Sequence, residues 1–138
     1  MDAQTGWLIK RKREMNGHRL LADTNTLVYL DRGSKKATAS LQGKEVFISF
    51  ITEIELLGFP GLTTEKLREL EVMLASMQVI DMSARQKQIA IRLKQSRKIK
   101  TPDAIIAAAS IEYDIPLLTA DKSLTSIPGL TCILFEVS

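Results

Sequence analysis

Five short apolar runs punctuate this chain: LLA at 20–22, EVFIS at 45–49, QVI at 78–80, IPLLT at 115–119 and TCILFEV at 131–137. None alternates strictly between apolar and polar. A continuous apolar run suits a strand that buries both faces. The stretches between them have helical character. Leu67, Leu70, Leu74 and Met77 fall on one side of a helix over Thr64–Met77, with Thr63 or Thr64 as its cap. Ser83 to about Arg97 reads as a basic helix, and Pro102–Tyr113 as an alanine-rich one capped by Thr101. DTNTLVYLDRG suits a short helix after the first run. Strands alternating with helices predict an α/β domain with a mostly parallel sheet.

The length of 138 residues predicts one domain with one core. Apolar residues make up 45% and charged residues 25%, an ordinary balance for a soluble globular chain. No apolar run is long enough to cross a bilayer. Trp7, Leu8 and Ile9 are followed at once by charges, so no secretory signal is expected. Residues 1–19 lack periodicity. They read as an extension, disordered or a non-native start, with Met15 a candidate alternative start, and the domain spans 20–138. Cys132 is alone, which excludes an intrachain disulfide and suits a reducing cytoplasm. One Cys and one His are too few for a usual zinc site. A Ser-His or Cys-His enzyme would have to use His18, in the unpromising N-terminal segment.

The net charge of +3 is unevenly spread. From Met82 to Pro102 there is no acid, while Arg85, Lys87, Arg92, Lys94, Arg97, Lys98 and Lys100 fall in that window. Lys10-Arg11-Lys12-Arg13 form a second run. Such clusters suit a polyanion partner, and equally a solvated helix face.

In an open parallel sheet, ligands bind beyond the carboxyl ends of the strands. Asp23 directly follows the first run, Glu53 and Glu55 lie beyond the second, and Asp121 follows the fourth. Asp103 opens a helix whose N-terminus falls at that same edge. Asp114 falls at the opposite edge and reads as a turn residue. Asp81 follows the third run, but Ser83 close behind suggests a capping turn. Each acid alone has a local role, as a cap, a helix-dipole partner or a solvent-facing charge. Together at one edge they repel, and a hard divalent cation, Mg²⁺ or Mn²⁺, resolves the repulsion. Acids for metal ions beside a basic surface suit a metal-dependent nuclease.

Four motifs resemble those of the PIN-domain ribonucleases, and more closely the VapC-type toxins of toxin–antitoxin pairs. They are LLADTNTLVYL, ISFITEIELLG, TPDAIIAAAS and LLTADKSL, in family order and spacing over about residues 20–136. The resemblance implies a PIN-like three-layer sandwich, a five-stranded parallel sheet of order 3-2-1-4-5 flanked by helices. Asp81 would then lie at the sheet edge, away from the site. It implies Mg²⁺- or Mn²⁺-dependent cleavage of RNA. By position, Asp23 and Asp103 would be metal ligands, Glu55 and Asp121 would complete the acidic cluster, and Asn25 and Thr119 would be polar supports. A glycine one residue closer than in many relatives keeps Glu53 open as an alternative to Glu55. The resemblance also implies a homodimer and a VapB-type antitoxin partner. Ile54, Leu56, Leu57, Phe59 and Leu62 could form a partner surface or ordinary core. Two rivals stand beside the nuclease. A haloacid-dehalogenase-like phosphatase would want an Asp where Asn25 stands. An RNA- or partner-binding module would keep the acids without catalysis.

Overall fold

The five apolar runs pair into one sheet. The computed structural model describes residues 18–137, and the proposed extension through residue 17 lies outside the described residues. The strands are β1 (Arg19–Ala22), β2 (Glu45–Ser49), β3 (Gln78–Ile80), β4 (Leu117–Thr119) and β5 (Cys132–Leu134). All pairings are parallel and the order is β3-β2-β1-β4-β5. Arg19, assigned above to the extension, is the buried first residue of β1 and stands in register with Glu45.

Among the described residues six helices flank the sheet: α1 (Thr24–Asp31), α2 (Lys35–Leu41), α3 (Phe50–Leu57), α4 (Thr64–Ala75), α5 (Ala84–Ser96) and α6 (Thr101–Tyr113). A 3₁₀ turn covers Lys122–Ser126. Side chains of β1 alternate between two cores. Leu21 joins Phe47, Leu117 and the alanines of α6 on one face. Leu20 and Ala22 join Val46, Ile48, Leu118 and Leu27 of α1 on the other. This period of two divides the apolar residues into the layers of a three-layer sandwich.

Short polar residues begin the helices. Asp23, Ser34, Ser49, Thr63 and Ser83 each accept a backbone N–H from the first turn that follows. The expected Thr101 cap is a correction. Thr101 is the first helical residue of α6, and the capping position is Lys100, which makes no side-chain cap bond. Pro102 lacks the N–H that a cap would satisfy, so this end needs less capping. Helix α6 ends at Asp114, whose φ of 52° is left-handed and turns the chain into β4.

Helices α5 and α6 form an antiparallel hairpin. The Ser83 hydroxyl, which caps α5, donates to Glu112 near the end of α6 at 2.6 and 2.8 Å. Residues 97–100 therefore return the chain to the start of α6 at the carboxyl edge of the sheet.

Ala104, Ala107, Ala108 and Ala109 are fully buried, which lets α6 lie close against its neighbours. Ala107→Leu should cost about 1–3 kcal/mol by overpacking. Urea unfolding would measure it, with exposed Ala75→Leu in α4 expected to be close to neutral.

Candidate active site

Asp23 ends β1 and starts α1, and it is buried. Its Oδ1 accepts from the Thr26 N–H at 2.8 Å and from the Thr26 hydroxyl at 2.6 Å. Its Oδ2 accepts from the Thr119 hydroxyl at 2.5 Å. Thr119, at the end of β4, accepts in turn from the Asp121 N–H at 3.0 Å. One hydrogen-bonded chain thus joins the fourth motif to the first. These donors satisfy both oxygens of the buried Asp23 carboxyl group.

Glu55 comes to the same cleft from α3. The Thr24 hydroxyl donates to its Oε1 at 2.7 Å and pairs with the buried Thr52 hydroxyl at 3.0 Å. Asp103 sits in the first turn of α6. The cleft is lined by Asp23, Thr24, Asn25, Glu55, Lys100, Pro102 and Asp103. Glu53 is not among these residues, so α3 presents Glu55 to the cleft. Asp121 stands beside it, exposed, with its Oδ1 accepting from the Ser123 N–H and hydroxyl.

The electrostatics tie the four acids together. Burial pushes the Asp103 carboxyl above its ordinary value, and the charges of Asp121, Asp23 and Glu55 push it further. Lys100 opposes them. Burial, with the fields of Asp23 and Asp121, also raises the Cys132 thiol. Asp23, Glu55 and Asp103 share a cleft, and Asp121 adds its field to theirs, but the acids are not drawn to a single point. Among the described residues, no three His, Cys, Asp or Glu side chains are gathered as a ready metal cage. The hydroxyls explain the spacing, since Thr26, Thr119, Thr24 and Ser123 each hold a carboxylate where it stands. The donor set still fits a hard divalent cation. It is all oxygen, and the repulsion felt at Asp103 is what such a charge would relieve.

The polar supports differ in part from expectation. Thr119 is one. Asn25 lines the exposed mouth of the cleft, while Thr24 and Thr26 carry the hydrogen bonds to the acids. Thr24 lies between Asp23 and Asn25 in the first motif, and its role was not legible without knowing that α3 lies opposite. His18 is exposed at the other edge of the sheet, where its carbonyl accepts from the Glu45 N–H. That position excludes it from a catalytic triad with these acids.

The seven cations of the basic window divide by position. Lys94, Arg97, Lys98 and Lys100 line a groove around the end of α5, and Lys100 also lines the acid cleft. Arg85 and Lys87 are exposed in the first turn of the 13-residue α5. At the rise of an α-helix, that end is about 15–20 Å from the other. Arg85 and Lys87 therefore stand apart from the groove at the other end of the helix. Arg92 is exposed on the middle of the helix.

The raised Asp103 pKa has a signed consequence. The folded chain holds that proton more tightly than the unfolded one. Stability from this group is fully present below the ordinary value of 3.8 and is lost as pH rises through the higher folded value. Asp103→Asn should therefore melt above wild type at neutral pH, with the gap closing under acid conditions. Thermal melts across pH 3–8 would check it.

A family description of the PIN domain matches residues 20–130. No curated protein matches the sequence significantly. A toxin–antitoxin complex from Klebsiella pneumoniae contains a chain 28% identical, with a TM-score of 0.75, covering 86% of this chain and 99% of its own. VapBC2 from Rickettsia felis, bound to a DNA fragment from its promoter, gives 22% identity, a TM-score of 0.72 and coverage of 86% and 99%. VapBC-1 from nontypeable Haemophilus influenzae gives 24%, 0.71, and 84% and 97%. At these identities the last two show a shared fold.

Proposed function

The chain belongs to the PIN-domain family, and from that premise we propose that it is a metal-dependent endoribonuclease, the toxin of a type II toxin–antitoxin pair. One observation carries this reading: the Asp103 carboxyl feels Asp23, Glu55 and Asp121 together, at the sheet edge that a basic groove adjoins. Structural acids are usually spread apart or paired with cations, whereas these repel one another.

Asp23 and Asp103 would hold Mg²⁺ or Mn²⁺, whose chemistry when bound is to neutralise phosphate charge and acidify water. Thr26 and Thr119 hold Asp23 fixed in direction. Glu55, steadied by Thr24, takes a proton from the attacking water. The water oxygen bonds to phosphorus as the bond to the 3′ oxygen breaks. The 3′ oxygen gains a proton from solvent, so one water is consumed and 5′-phosphate and 3′-hydroxyl ends result. Lys94, Arg97 and Lys98 track the RNA backbone by charge, so affinity falls with salt.

The likeness to a chain of the Klebsiella toxin–antitoxin complex supports an antitoxin partner; that this partner is of the VapB type and that the chain forms a homodimer are parts of the same proposal. Of the apolar residues considered for a partner surface, Ile54 and Phe59 are 58% and 66% exposed, while Leu56 is buried core. Leu57 and Leu62 are half-buried. Ile54 and Phe59 are therefore the side chains offered to a partner. Among the described residues no helix is long and apolar enough to cross a membrane. A cytoplasmic site of action suits the lone Cys132.

Asp23→Asn and Asp103→Asn should each lower RNA cleavage in Mg²⁺ or Mn²⁺ by roughly 10²-fold or more, as loss of a charge-stabilising group does. Electrophoresis of RNA after incubation would measure it. Equal cleavage by wild type and both variants would sink the proposal. RNA binding without cleavage in any metal would favour a binding module instead. Mg²⁺ should also raise the melting temperature of wild type more than that of Asp103→Asn.

A further inference from the structure

Lys100 belongs to two surfaces at once. It borders the acid cleft with Asp23, Glu55 and Asp103, and the basic groove with Lys94, Arg97 and Lys98. Its backbone is fixed by the start of α6, where its carbonyl accepts from the Ala104 N–H at 2.9 Å. Its side chain is exposed. Lys94 lines the groove but not the acid cleft, and donates to the Ile99 carbonyl at 2.9 Å. The ion pairs among the described residues involve Lys36 and Lys66, so Lys100 faces the acids without being paired to one. A cation held at the mouth of an acidic cleft and left unpaired is available to an incoming anion.

We propose that Lys100 is a catalytic residue whose ammonium contacts a non-bridging oxygen of the phosphate being cut. The inference rests on the nuclease reading above. Four carboxylates repel an arriving phosphate, and Lys100 is the side chain of this cleft that attracts one. Its place in the reaction differs from that of its neighbours. As the water oxygen bonds to phosphorus and the bond to the 3′ oxygen breaks, charge builds on the non-bridging oxygens. A cation there stabilises the transition state more than the ground state and raises kcat. Lys94, Arg97 and Lys98 face phosphates whose charge does not change, so they affect KM. Lys100 stays protonated throughout and transfers no proton. Its spacing from Asp103, three residues along the first turn of α6, couples the cation to a proposed metal ligand through one rigid element.

The test is steady-state cleavage of a fluorescent single-stranded RNA in Mg²⁺, using the sequence that wild type cuts fastest from a random pool. Lys100→Gln should lower kcat on the order of 100-fold, with KM within about threefold. Lys100→Arg should recover most of the loss, because it restores the charge. Lys98→Gln should instead raise KM and lower the salt dependence by about one phosphate contact. Thermal melting checks that the exposed substitutions leave the fold intact. Wild-type cleavage with a Lys100→Gln effect on KM alone, or with no effect, would overturn this assignment and leave the nuclease reading standing. Failure of wild type to cut any RNA in the pool would overturn both.

Discussion

The Asp23 carboxylate, held between Thr26 and Thr119, is the interaction on which the site depends. Three donors reach it, and they come from the helix it caps and from the neighbouring strand. Capping fixes the start of α1, while the Thr119 hydroxyl ties the ends of β1 and β4 beyond their backbone ladder. The same hydroxyl accepts from the Asp121 N–H, so the turn after β4 is set by the same group. These donors satisfy both oxygens of the buried carboxyl group and fix its direction. The fold thus places Asp23, whose charge raises the Asp103 carboxyl, at the carboxyl edge of its sheet.

That charge has a cost borne by Asp103. It enters the cleft half-buried from a helix that cannot withdraw, because the fully buried alanines of α6 lie against the sheet. Its carboxyl is raised by burial and by three like charges, with the Lys100 ammonium opposing them. A site tuned only for stability would place an amide there. The arrangement makes sense where a cation and an anionic substrate are both to be received. On the proposed function, oxygen donors would serve the first, while Lys100 and the groove beyond it would serve the second. Function and local instability would then come from the same residues.

Much of this was legible in the sequence because it is local. Continuous apolar runs marked all five strands, although β4 proved shorter than IPLLT, since Ser110 and Ile115 continue the turn that ends α6. The acids could be assigned to one edge because each directly follows a strand or opens a helix. Helix α2 was missed. KKATASL buries only Ala37 and Leu41, too few positions to reveal a period. The start of α6 was misread because a threonine before a proline resembles a cap. Contacts between distant segments were hardest to read. The Thr24–Glu55 hydrogen bond spans 31 residues, and no spacing along the chain announces it. The basic window read as one surface, yet the hairpin of α5 and α6 places only its second half beside the acids. Charge can be counted from a sequence, but the direction it faces is decided by packing.

The central claim is that the acids act as one site for a divalent cation. Electron paramagnetic resonance of Mn²⁺ titrated into the protein tests it most directly, because free and bound ion give different signals. The account predicts saturable binding by wild type, lost in Asp23→Asn and Asp103→Asn and retained in Glu53→Gln, whose side chain does not line the cleft. Mn²⁺ binding that is absent from wild type, or unchanged in the Asp103→Asn protein, would contradict it.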